Sequence, residues 1–185
     1  MVRLSPNTYM VSALTAIAVI LRFYEFPYPI APFLKYDVSG VPLTIIALIS
    51  LRAAFSALPV YYIIPTLMGS DPIGMAMKCL AEMSTFVPTS LIITKLKGRV
   101  GESLLVALAT ALSGLARVAA MAVANYFITP YWLMWAGWAK DMSIALSFVI
   151  YYMPHIALFN LSISIIVSPT AVVVYRVLNR AGFLK

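Results

Sequence analysis

The sequence predicts an all-α membrane protein of six transmembrane helices, with both termini cytoplasmic and with helices 2 and 3 short. Three observations carry that expectation. Of the 185 residues, 63% are hydrophobic and only 10% are charged, and the mean hydropathy is +0.96, far more apolar than a soluble domain of this length. The apolar runs come in lengths near the roughly 20 residues that cross a bilayer core. The basic residues also gather on one side once the runs are divided in one particular way. The whole chain, 1–185, then forms a single transmembrane domain in the cell membrane, crossing it several times.

The first helix is expected over Thr8–Phe23. Arg3 precedes it and Ala16-Ile17-Ala18 resembles a cleavage triplet, but the triplet lies inside the apolar run, so the segment reads as an uncleaved span. Ser12 and Ala16 stand at small-xxx-small spacing, widened by Ala13 and Ala18. Such a face lets another helix approach closely in lipid. It can serve packing within the chain or docking of a partner protein.

The loop that follows, FYEFPYPIAPFLKYDVSGVP at 23–42, mixes aromatics, prolines and charges. Proline fixes its backbone, so the loop is expected to be stiff. It reads either as an ordinary aromatic belt or as a lid whose rings, Tyr36 among them, cover a flat ligand.

Helices are expected next over Val41–Leu51 and Ala53–Met68, broken at Arg52. The break places Arg3, Arg52, Lys95, Lys97, Arg99, Arg176, Arg180 and Lys185 on one side, which the positive-inside tendency makes cytoplasmic. Glu25, Lys35, Asp37, Asp71, Lys140 and Asp141 fall on the other. Two helices too short to span alone require ends buried in protein, so an internal site is expected near them.

Helix four is expected over Pro72–Thr94. Lys78 and Glu82 lie four apart on it and share a face; Lys78 can also snorkel, whereas Glu82 is deeper. Helix five, over Glu102–Phe127, carries Arg117 at its middle and Asn125 with Tyr126 toward the outside. Intramembrane charges face the interior, so a buried polar cluster is expected in helices four and five. Helix six is expected over Pro154–Leu178. Asn160 on it offers a donor and an acceptor, and His155 reads as interfacial.

Several classes drop out. The single Cys79 and single His155 supply no disulfide framework and no metal cluster. A phosphate-binding loop is missing, because Met75 and Ala76 stand where Lys and Ser or Thr are needed after Gly69 and Gly74. No nucleophile sits beside a base, so the chain does not read as an enzyme. The net charge of +7 belongs to membrane orientation, not to nucleic acid.

The first helix SALTAIAVI at 12–20, the loop end FLKYDVSGVP at 33–42, DPIG at 71–74, ANYF at 124–127 with Pro130, and a last helix from Pro154 to VYRVL at 174–178 carry a resemblance. Over most of its length the chain resembles the substrate-binding S components of energy-coupling-factor (ECF) vitamin transporters, most closely the riboflavin-specific branch. That resemblance implies a six-helix subunit that binds a vitamin from outside. It also implies a transmembrane coupling protein and two cytoplasmic ATPase subunits as partners. Riboflavin is then a transported ligand and no cofactor is implied.

The pattern departs from the riboflavin branch at three places. Val60 and Tyr61 stand where that branch has a Lys-Asn pair, a lysine expected near Phe159 and Asn160 is missing, and Lys78 lies near an expected asparagine. Asn125 carries over directly. The expected binding residues are thus Tyr36, Asp37, Tyr61, Lys78, Glu82, Asn125, Tyr126 and Asn160, with Ser12, Ala13 and Ala16 for partner docking. Three readings follow: a riboflavin-binding subunit, the same subunit for another vitamin or small heterocycle, and a stand-alone secondary carrier using Lys78, Glu82 and Arg117 as a relay. A membrane enzyme or assembly factor has no residue to recommend it.

Overall fold

The computed structural model describes residues 6–184; the expected basic residues Arg3 and Lys185 lie outside them. The order is α1 (Pro6–Leu21), β1 (Phe26–Tyr28), β2 (Ala31–Tyr36), α2 (Gly40–Ile49), α3 (Leu51–Leu67), α4 (Pro72–Leu96), α5 (Glu102–Trp135) and α6 (Met142–Arg180). Among the described residues, α5 and α6 are long and apolar enough to cross a membrane by length and composition, and α1, α2 and α3 are shorter apolar helices.

Among the described residues the six expected helices are present, and the loop after α1, expected only to be stiff, is a β-hairpin. β1 and β2 pair antiparallel, with Phe26 opposite Tyr36 and Pro27 opposite Lys35. Prolines fit because each strand of a two-stranded ribbon has a free edge where a missing donor costs nothing. An ion triad holds the hairpin's base: Glu25 pairs with Arg22, and its other oxygen lies 2.7 Å from Lys35 Nζ.

The break between the second and third helices falls at Ser50, two residues before the expected Arg52. Ser50 is extended and its hydroxyl accepts from Ala53 N at 3.3 Å, which satisfies one orphan donor at the new helix start. α2 is buried along most of its length. Ser90 Oγ on α4 donates to Ala47 O of α2 at 2.7 Å, which pins the short helix against its neighbour.

Two expected boundaries move further. α5 runs on past Phe127 to Trp135, and α6 begins at Met142, not at Pro154. Pro130 and Pro154 sit inside these helices, each removing its own donor without ending the helix. The true start of α6 is set by Asp141, whose carboxylate accepts from Ile144 N at 2.9 Å. Measured from the level of Glu82 and Arg117, α4 rises about 15 Å to Pro72 and α5 about 27 Å to Trp135. The α5–α6 pair therefore overhangs α4 at the hairpin end.

The main apolar core joins α1, α2, α3 and α4 through residues such as Leu14, Ile46, Tyr61 and Phe86. A separate cluster, Leu133, Ala139, Ala145 and Val149, holds the overhang together.

Candidate functional site

Beneath the hairpin a chain of polar side chains crosses the bundle from α3 to α6. Tyr61 OH lies 2.6 Å from Ser39 Oγ. Asp37 Oδ1 accepts from both the Ser39 amide, at 2.9 Å, and the Ser39 hydroxyl. Its other oxygen meets Lys78 Nζ at 2.6 Å, and the same ammonium is 3.3 Å from Glu82 Oε1. Arg117 reaches that oxygen with Nη2 at 3.2 Å.

Arg117 does more than pair with Glu82. It is 2% exposed, and the rest of its fork is used: Nη1 donates to Thr85 Oγ1 at 2.9 Å and to Ala81 O at 3.3 Å, and Nε donates to Asn160 Oδ1 at 3.1 Å. Asn160 Nδ2 in turn donates to Ile156 O at 2.8 Å. Two carboxylates and two cations thus balance within the bundle, which is the condition under which buried charge is tolerated.

One atom of the network makes no hydrogen bond. Glu82 Oε2 is buried without a hydrogen-bond partner among the described residues. It faces Gly40, where a Cβ would run into it. The missing side chain lets the start of α2, which carries partial positive charge, lie against the carboxylate.

The hairpin forms the roof. Tyr36 packs at a tilt on Phe159 with centroids 4.8 Å apart and edge-on against Tyr28 at 6.0 Å, and its hydroxyl lies 2.7 Å from Ser162 Oγ. Phe33 packs on Phe148 and Tyr152 of the overhang. A cavity of about 140 Å³ lies between hairpin and α6, lined by Tyr24, Phe26, Tyr36, Asp37, Ile163 and Val167 among others.

Of the residues expected from the sequence, Tyr36, Asp37, Tyr61, Lys78, Glu82 and Asn160 are brought together with Arg117. Asn125 and Tyr126 are not. Asn125 is buried and tied to its own helix, donating to Met121 O at 2.7 Å and accepting from Thr129 Oγ1 at 2.9 Å. Tyr126 is exposed and packs edge-on against Phe127. His155 packs on Tyr28 and Tyr152, and its Nδ1 is buried without a hydrogen-bond partner among the described residues.

Sequence reasoning missed Ser39, Gly40, Thr85 and Ser162. Thr85 was within reach, since Glu82, Thr85 and Thr89 recur at helical spacing on one face of α4, and all three are buried.

Ser12, Ala13 and Ala16 are exposed on α1. Ser12 and Ala16 line an open groove of about 720 Å³ between α1 and α3, with Ala53, Ala57 and Val60 on the opposite wall.

Comparison with protein-family models and with curated sequences finds no match. Among solved structures, the chain is similar to the S component of a bacterial ECF transporter, with a TM-score of 0.70 and 24% identity over 97% of both chains. At that identity the likeness is one of fold, and this chain has the S-component fold.

Proposed function

We propose that this chain is the membrane-embedded substrate-binding subunit of an ECF-type importer, and that it binds riboflavin. The observation that carries the reading is the buried, charge-balanced network under an aromatic hairpin, set in a fold shared with an ECF S component. A flat ligand suits such a site, with rings to stack on and few polar groups to orient it. Riboflavin in particular is supported by the LKYDVSGVP stretch, in which Tyr36, Asp37, Ser39 and Gly40 all take part in the site. With Tyr61 committed to Ser39, the departure on α3 makes another vitamin or small heterocycle the second reading.

The proposed setting is the cell membrane, with six spans and both termini cytoplasmic. The partners are a transmembrane coupling protein and two cytoplasmic ATPases, and the small-residue groove on α1 and α3 is where a partner helix would dock. A stand-alone carrier working through Lys78, Glu82 and Arg117 is disfavoured, because each of these charges is fixed to an opposite one. The test is purification followed by titration. Flavin absorbance in the purified protein, or quenching of flavin fluorescence on titration, supports the proposal. No riboflavin binding at micromolar levels rejects it, and uptake driven by an ion gradient in vesicles holding this chain alone would establish the carrier instead.

A further inference from the structure

The groove between α1 and α3 is apolar even though Thr15, Ser50 and Ser56 line it. All three hydroxyls are turned back on the backbone. Thr15 Oγ1 donates to Val11 O at 2.7 Å, Ser56 Oγ donates to Arg52 O at 3.1 Å, and Ser50 Oγ accepts from Ala53 N at 3.3 Å. The rest of the wall is chiefly aliphatic, with Val19, Ile20, Ile49, Val60 and Ile64 among it. Such a wall offers an occupant dispersion contact and little to hydrogen-bond. From Thr8 to Ile20 the groove follows α1 for about 18 Å, against roughly 15 Å for one leaflet of a bilayer core.

One end of the groove is charged. α1 and α3 both begin at the end away from the hairpin, and Arg52 stands there, on the row of α3 that continues through Ser56, Val60 and Ile64. Its side chain is exposed and makes no ion pair among the described residues. The acid at this end, Glu102, is paired with Arg176, while Lys95, Lys97, Arg99 and Arg180 add further positive charge. The chain therefore offers Arg52 no carboxylate. A guanidinium at the mouth of an aliphatic groove is matched by a phosphate attached to a hydrocarbon chain.

We infer that in the free subunit this groove holds an acyl chain of one anionic phospholipid, whose headgroup phosphate pairs with Arg52. The inference rests on the proposed membrane setting and not on which ligand is transported. A helix of the proposed coupling protein would use the same groove, so it must displace this lipid in order to dock.

The experiment is native mass spectrometry of the purified, delipidated full chain, titrated with phosphatidylglycerol or with phosphatidylcholine of the same acyl chains. One phosphatidylglycerol should be held about fivefold more tightly than phosphatidylcholine, the effect of one basic side chain beside an anionic headgroup. Arg52→Gln, at an exposed position, should bring that ratio toward one, whereas Arg99→Gln on the turn after α4 should leave it unchanged. Ala16→Trp and Ser56→Leu fill the groove from opposite walls, and each should weaken both lipids in a chain that keeps the wild-type unfolding midpoint.

Equal binding of the two lipids by the wild type overturns the inference. So does an equal loss of preference in the two arginine variants, or undiminished lipid binding with the groove filled. Glycerol phosphate held as tightly as the phospholipid would leave a phosphate site alone and overturn the seat for the acyl chain. Dimers in place of lipid-bound monomers would put a second copy of the chain in the groove instead. Because no vitamin enters the titration, failure of the riboflavin reading leaves its outcome untouched.

Discussion

Lys78 Nζ lies 2.6 Å from Asp37 Oδ2, so the segment leaving the hairpin is tied to α4 by a buried ion pair. Both partners are well shielded, with side-chain exposures of 13% and 1%. Removing one half of such a pair strands the other charge, which typically costs about 3–5 kcal/mol, whereas removing both is far milder. Lys78→Met alone should therefore destabilise the folded protein strongly, and Lys78→Met with Asp37→Asn should recover most of the loss. Unfolding titrations in mixed detergent check this; equal stability of the single and double variants would show that the pair carries no coupling.

Gly40 supplies a second test. A methyl group there would occupy the position of Glu82 Oε2, and overpacking a tight core costs about 1–3 kcal/mol. Gly40→Ala should be destabilising by that order in the wild type and close to neutral when Glu82 is also replaced by Ala. An identical penalty in both backgrounds would assign the effect to the backbone of α2.

For ligand binding, Asn160→Ala should weaken affinity roughly five- to a hundredfold, the cost of leaving the buried Arg117 Nε without its partner, whereas Asn125→Ala, whose amide is tied to its own helix, should not. His155→Ala should change it little, since that ring packs at the hairpin's rim. Titration of folded protein decides the matter, and wild-type affinity in Asn160→Ala would remove Asn160 from the site.

Coupling is tested at the groove. Ser12→Leu or Ala16→Trp puts bulk where a partner helix needs close backbone approach. Pull-down of the coupling protein and ATP-driven uptake should fail while ligand binding survives. Intact complex formation with both substitutions would place docking elsewhere, and loss of ligand binding as well would show misfolding.

How much of this was legible beforehand depended on sequence separation. Lys78 and Glu82, four apart on one helix, could be paired on paper because helical geometry dictates it. Arg117 was recognisable as a buried charge, but its bond to Asn160 joins residues 43 positions apart, a contact only the packing of α5 on α6 creates. The sequence 23–42 reads as a stiff loop because proline fixes its backbone, and Pro27 and Pro32 are compatible with a ribbon that has two free edges. The ends of α5 and α6 differ from expectation for a related reason, since Pro130 and Pro154 lie inside helices and each removes only one backbone bond.

The placement of α2 bears on the order in which the protein can be assembled. Asp37 and the start of α2 emerge from the ribosome before Lys78, Glu82, Arg117 and Asn160 exist. A ten-residue helix is too short to cross a bilayer core alone, and the Asp37 carboxylate at its entrance, bonded before then only to Ser39, lacks the cation that balances it until Lys78 arrives. In the proposed membrane setting, the α2 segment should therefore wait at the membrane surface or within the insertion machinery and take its final position late, after α4, α5 and α6 have come together. Nascent chains arrested before Asn160 should accordingly leave Asp37 open to water-soluble labels, whereas chains released after residue 180 should shield it.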